Sequence, residues 1–378
     1  MKEMKFLNMI LLLCFFPIYA LADIEVNETN FPDTNFRKYL LEQSYGSDGI
    51  ITDAEINEIT KISVNHKGIS DLKGIEFFTK LIELSSIGNN LSSLDMSKNT
   101  ALETLYISLN QAPLTLDVTN NIELKYLNCS GDNLTSLDVS KNMKLKSLKC
   151  HDNQLTKLNL SKNASITTLH CQDNQISSLE VSGCNILNSM HCYNNLLSEI
   201  DLSSNVKLNY LNCANNDLTN LNLANNTELE YLLCDNNKIT SLDLSSNHII
   251  KNLLCCNNNI DSSSMDLLIS SLPVVETGNF YVIDAASEKE GNVCTTINVA
   301  DLKAKGWVSY YSIEKYESGD YVWIPYEGSN PANVIDCIQN QTKAISYYRL
   351  NGSRLSALQK GINILRDDNG VVKKLVVK

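Results

Sequence analysis

Twelve cysteines and five histidines are the residues of this 378-residue chain best equipped for chemistry. Thiolates act as nucleophiles and soft metal ligands, and imidazoles serve as general bases or zinc ligands. Cys150 adjoins His151, His170 adjoins Cys171, and His191 adjoins Cys192. Their spacing argues for another role. Cysteine recurs at 129, 150, 171, 192, 213, 234 and 255, each 21 residues after the last. A catalytic nucleophile has no reason to occur seven times at one interval, whereas a fixed seat in a repeating fold does.

From residue 124 the repeat reads L-x-x-L-x-C-x-x-N-x-L-x-x-L-x-L-x-x-N. Leu148, Leu169, Met190, Leu211, Leu232 and Leu253 form one apolar column, and Leu137, Leu158, Leu179, Ile200, Leu221 and Leu242 another. An asparagine column runs through Asn153, Asn174, Asn195, Asn216, Asn237 and Asn258, with Asp132 at its start. Each unit supplies one short strand, L-x-C, whose residues alternate between inside and outside. A single unit cannot bury its apolar side, so units stack into a right-handed coil with a parallel sheet along one side. In-register stacking at ~4.8 Å per coil places like residues over like, and the stacked amides satisfy backbone groups at the turns. This is the leucine-rich-repeat signature. The expected fold class is an α/β repeat: a leucine-rich-repeat solenoid of ~21-residue coils with a parallel sheet on one face. A helical N-terminal cap and a small all-β C-terminal module complete it. The period falters before 124, where Ser86 and Ile107 stand in the cysteine column and the unit carrying Gln111-Ala112-Pro113 is a residue longer.

The stack constrains the cysteines. Parallel neighbours hold Cβ atoms near ~4.8 Å, beyond the ~3.5–4.5 Å of a relaxed disulfide. Zinc needs ligands around a point, and a stack supplies a line. Cys129, Cys150, Cys171, Cys192, Cys213, Cys234 and Cys255 are therefore expected as buried, reduced thiols acting as compact hydrophobes. Cys184 replaces the second-turn asparagine seen at Asn142, Asn163 and Asn205, so it too is expected to be structural. Cys256 follows a ladder cysteine and should face outward as the reactive thiol.

Three columns flank the cysteines on the outward, concave strand face. One contains Tyr126, Tyr210 and Tyr231, the second Lys149, His170, His191, Asn212, Leu233 and Leu254, and the third His151, Gln172, Tyr193, Ala214 and Asp235. Tyrosines among amides give rigid contact area with adaptable hydrogen bonds, which suits recognition. The candidate ligand-binding residues are Tyr126, Lys149, His170, His191, Tyr193, Tyr210, Asn212, Tyr231 and Asp235. No carboxylate joins the histidines, so neither a metal nor a cofactor is expected. A further outward column, from Asp95 and Asp117 to Asp243, reads as a solvated face. The chain has no nucleophile–base–acid set, no phosphate-cradling loop and no zinc motif, so an enzyme is not expected.

A net charge of −12 disfavours nucleic acid and anionic membranes as partners. Lys2 and Lys5, an apolar run and Ala20-Leu21-Ala22 read as a signal peptide over 1–22, and no later stretch approaches the ~20 apolar residues of a membrane span. Residues 23–61 form the helical cap. Within it, SYGSDGIITDAE resembles a calcium loop, but Ser44 and Gly46 stand where carboxylates belong, and TDAE reads as a capping box. Repeats occupy 62–260. The closing cap covers 261–311, with helices in SSSMDLLISSLP and DLKAKG and strands in NFYVID and GWVSYY. A linker over 312–344 leads to a module over 345–378.

Over roughly 62–311 the chain resembles the cysteine-ladder leucine-rich-repeat proteins, the internalin J-like surface proteins of bacteria. The resemblance implies a curved solenoid used for adhesion or protein binding. Residues 347–378 carry Tyr348, Leu350 and Gly352, then KGINIL, DNG and KKLVVK. They resemble the C-terminal sorting domain of the Bacteroidetes type IX secretion route, although Ala357-Leu358 departs from its usual proline. That implies delivery to the outer-membrane surface of a Gram-negative bacterium, with the tail either kept or cleaved. The expected function is a secreted or cell-surface, non-enzymatic module binding protein or glycan. A structural surface component and a glycan-binding or enzyme-accessory subunit are the alternatives.

Overall fold

The computed structural model describes residues 23–110, 114–315 and 321–329, with the strand residues 346–348, 354–355, 361–366 and 372–377. The expected signal peptide, Gln111-Ala112-Pro113, Cys337 and much of the stretch beyond 329 lie outside them. A thirteen-stranded sheet runs in chain order from Lys61–Ser63 to Tyr321–Pro325. Its repeat strands are three residues long and pair in parallel at the repeat interval, Thr168 with Ser189 and Ser189 with Tyr210. Leu169, Met190, Leu211 and the ladder cysteines point inward and are buried. Each leucine so buried contributes about 1.5–3 kcal/mol.

The strands are short because the chain turns two residues after each cysteine. Asp152, Asp173, Asn194, Asn215, Asn236 and Asn257 sit there at φ between 52° and 55°. Asparagine and aspartate tolerate this left-handed backbone because their short side chains bond locally. Gly88 and Gly131 take the same seat upstream, and Leu109 is strained into it at φ 65°.

The next residue is the asparagine rung. Asn153 Nδ2 donates to the carbonyls of Cys129 (2.8 Å), Cys150 (3.0 Å) and His151 (3.1 Å). Its Oδ1 accepts from the amides of Asp132 (3.1 Å) and Leu134 (2.8 Å). One side chain thus satisfies backbone groups of two coils. The ladder is longer than its sequence pattern. Asn89 and Asn110 extend it upstream, and Asn292 closes it by donating to Cys255 O and Val282 O. Irregular unit lengths hid these rungs.

A second ladder lies across the core. Asn142 Nδ2 donates to Val118 O (2.9 Å) and Asn121 O (2.8 Å), and Asn163, Asn205, Asn226 and Asn247 repeat the pattern. Cys184 occupies this seat, its Sγ 3.6 Å from Leu160 O and from Asn163 O, the equivalent carbonyls. Four residues before the seats of this ladder, Asp95, Asp117, Asp138, Glu180, Asp201 and Asp243 each accept from the amide two residues on. The acidic column is a row of turn caps, and those bonds hold its carboxyls below their usual pKa.

Among the described residues α-helices occur only outside the repeat stack. Thr34–Leu41 and Asp53–Glu58 precede the sheet. Asp33 caps the first helix and also accepts from Ser70, tying the cap to the first coil. Both arms of the Thr52–Glu55 capping box are made, so Glu55 is engaged as a helix cap. At the other end Ser262–Ser271 and Thr296–Ala304 alternate with Gly278–Asp284 and Trp307–Lys315. The boundary expected at 311 therefore cuts a strand. Tyr321–Pro325, inside the expected linker, pairs antiparallel with it, because Trp323, Ile324 and Val322 can still pack on the sheet end despite the polar stretch around them. The strands 346–348, 354–355, 361–366 and 372–377 form a separate antiparallel sheet. No helix among the described residues is long and apolar enough to cross a membrane.

Candidate functional site: the outward sheet face

Alternation along each strand leaves the side chains on either side of the inward leucine facing out. Strand pairing aligns Lys149, His170, His191, Asn212, Leu233, Leu254, Tyr281 and Tyr310 in one column. Rings stack along it and into its neighbour. His170 and His191 lie 4.5 Å apart at 24°, and His191 and Tyr210 4.8 Å apart at 25°. Tyr231 continues the row 5.9 Å from Tyr210, and Lys251 Nζ stands 5.3 Å from the centre of its ring. His151 joins the other end, 6.3 Å from His170. A second group lies at the C-terminal end of the sheet, with Tyr281 stacked on Tyr310 at 4.9 Å and Trp323 leaning on Tyr281 at 4.8 Å.

Electrostatics keep His170 and His191 uncharged. Burial, then the nearby His191, Lys149 and His151, lowers the His170 pKa to about 4, and burial lowers that of His191. Burial also raises Tyr210, and burial together with Asp173 and Asp152 raises Tyr193. At neutral pH His170, His191 and Tyr210 therefore present neutral imidazole and phenol edges.

Of the expected binding residues, His170, His191, Tyr210, Tyr231 and Asn212 come together, with Lys149 exposed beside them. Tyr126, 41% exposed, lies on the same face but outside the ring row. Tyr193 is half-buried at the turn. Asp235 is not on the surface: it is 4% exposed and accepts from Asn236 Nδ2 at 2.6 Å. Cys256, expected outward and reactive, is fully buried. A later segment accounts for Cys256. After Gly278–Asp284 the chain folds back over this margin, where Glu290 accepts from the amides of Asn257 (2.8 Å) and Asp284 (2.7 Å). Asp284 accepts in turn from Asn257 Nδ2 at 2.9 Å. Burial, then the adjoining carboxylates Asp235 and Glu290, lifts the Cys256 thiol far above its usual pKa. Gln172 and Ala214 of the same column are buried too, so the third column is largely the floor of the turn.

All ten described cysteines are buried and unbridged. Burial raises Cys150 and Cys192 to about 12, which leaves the thiols protonated and inert. Among the described residues no three His, Cys, Asp or Glu side chains converge on a metal position. Tyr281, Tyr310 and Trp323 were missed as surface residues. Alternation within NFYVID and GWVSYY was the available signal, but the closing strands depart from the 21-residue interval.

No protein-family model and no curated protein matches the chain. Solved structures do. The functional domain of InlJ from Listeria monocytogenes, which includes a cysteine ladder, shares 21% identity over 94% of this chain and 98% of that one, with a TM-score of 0.52. The fold is a leucine-rich-repeat solenoid. A TDR receptor aligns at 17% identity and a TM-score of 0.54 over 69% of this chain and 48% of its own. An internalin, inlF, from Listeria monocytogenes aligns at 20% identity over 79% of this chain and 100% of that one, with a TM-score of 0.45. At 21% and 17% identity the likeness to the InlJ domain and the receptor establishes fold and leaves the ligand to the surface chemistry.

Proposed function

We propose that this protein is a non-enzymatic, exported recognition module whose outward sheet face binds another protein, serving as an adhesin at the bacterial surface. The observation that carries the reading is the unbroken row of rings from His170 to Tyr231 on a face where the fold leaves side chains free. Rigid aromatic side chains with polar edges give large contact area at small entropic cost, the character of interface hot spots. The buried, protonated thiols supply core packing rather than nucleophiles. Export rests on the signal-like 1–22 and the sorting-like 347–378.

Photo-crosslinking tests the face. A benzophenone residue at Ser189, between the rings, should capture an extracellular protein, and one at Asn159 on the opposite margin should not; equal capture at both positions counts against the proposal. Fractionation of cells expressing the chain with and without 347–378 tests export. Retention of the truncated form inside the cell is expected, and unaltered surface delivery would remove the sorting role.

A further inference from the structure

Resting on that protein-binding reading, we propose that the partner offers the sheet face a segment acidic at one end and apolar at the other, its carboxylates seated on Lys146 and Lys149 and its apolar end on Leu233 and Leu254. Charges local to the face set this polarity. Along it Glu83 pairs with Lys61 at 2.8 Å, Glu103 with Lys125 at 2.7 Å, and Glu230 with Lys251, whose Nζ also stands over the Tyr231 ring. Those charges cancel. Lys146 and Lys149 lie either side of Ser147 and Leu148 on a single coil, are exposed, and have no ion pair among the described residues. At the turns of that coil and the next, Asp152 is held by His151 Nδ1 at 2.7 Å and Asp173 by Asn194 Nδ2 at 2.6 Å. The two lysines are the unmatched cations of the face.

From Lys149 the column changes character coil by coil. His170 and His191 follow, uncharged at neutral pH, then Asn212, and then Leu233 and Leu254, both half-buried. Five steps of ~4.8 Å put the apolar end about 24 Å from the cationic one. A basic segment would meet Lys146 and Lys149 as like charges, and a wholly apolar one would desolvate both ammonium groups without a counter-charge. Carboxylates at that end supply the match. The preference runs against the net charge of −12, which by itself would favour a cationic partner, so local and whole-chain charge are separable by experiment.

The test uses the full chain and three fluorescent peptides of one length, each with a pair of leucines at one end and a pair of glutamates, glutamines or lysines at the other. In anisotropy titrations the glutamate peptide should bind at least ~3-fold tighter than the glutamine one and ~10-fold tighter than the lysine one, the scale of two exposed charge pairs. A Lys146→Glu, Lys149→Glu chain should invert that order. Lys157→Glu, Lys162→Glu makes the same change of charge in and beside the separate strand Lys157–Asn159, and should leave the order as it was. All four lysines are exposed, and an unchanged melting temperature confirms the fold of each chain. Equal or undetectable binding of the glutamate and glutamine peptides overturns the proposal, as does an inversion produced equally by the Lys157, Lys162 pair. Crosslinking from Ser189 reports separately on the protein-binding reading. Capture that persists unaltered in the Lys146→Glu, Lys149→Glu chain strikes the acidic segment and leaves that reading standing, whereas no capture by the native chain strikes the reading itself.

Discussion

Asp132 is the one acidic side chain in the asparagine ladder, and it is fully buried. Its Oδ1 accepts from Asn110 N at 2.8 Å, but its Oδ2 has no partner. In later coils that second position holds an amide nitrogen donating to carbonyls, a role only a protonated carboxyl can fill. Burial, working against the bonds from Asn110, raises the pKa to about 7. The folded state then holds a proton that the unfolded chain, titrating near ~3.9, has lost, so this residue's contribution to stability falls as pH rises from about 4 to 7. Asp132→Asn should stabilise the protein by about 1–2 kcal/mol at pH 8 and much less at pH 5, read from urea midpoints at each pH. Leu109 is the other local misfit, a leucine 57% exposed in a left-handed seat. Leu109→Gly should raise stability by about 1 kcal/mol by removing the strain that glycine escapes; a lower melting temperature would show that the leucine is held there by contacts. The histidines act in the opposite sense to Asp132. Their lowered pKa values mean that stability from the stacked row is present above about pH 6.5 and is lost as pH falls toward 4. A His170→Gln, His191→Gln double variant should flatten that acid limb of the melting curve.

At the scale of elements, the two amide ladders do the work that helices do in larger repeats, binding turn to turn through side chains. Asn195→Ala would strand Ile176 N and the carbonyls of Cys171 and Cys192. It should cost about 2 kcal/mol or more in chemical denaturation. Cys184→Asn should cost nothing, because the neighbouring coils already seat asparagine against the equivalent carbonyls. Ion pairs between coils, such as Lys125–Glu103 at 2.7 Å, are about a third open to solvent and add little. Much of this was legible in advance. The cysteine interval announced stacked coils, and the capping box at Thr52 and the amide seat at Cys184 could both be read from residue spacing. What escaped notice depended on contacts outside the period. Cys256 obeys the outward alternation of its coil, yet a segment some thirty residues later packs beside it, and spacing carries no record of that return; Asp235 lies, like Gln172 and Ala214, in the floor of the turn. Asn292 and the Tyr281–Tyr310 pair lie beyond irregular insertions for the same reason.

Across the described residues, one thirteen-stranded sheet presents a single outward face. Its core residues repeat nearly without variation, whereas the outward columns change from coil to coil, from Lys149 through paired histidines and tyrosines to leucines and a tyrosine–tryptophan corner. Constant inside and varied outside is the arrangement expected when the scaffold is generic and the surface specifies a partner. Recognition should therefore be localised on this face and separable from folding. The most direct test is the affinity of the intact chain for the protein captured at Ser189, measured against the Tyr210→Ala, Tyr231→Ala double variant. The account predicts a loss of at least ~30-fold, about 2 kcal/mol, with a melting transition that remains cooperative. Wild-type affinity in the folded double variant would contradict it.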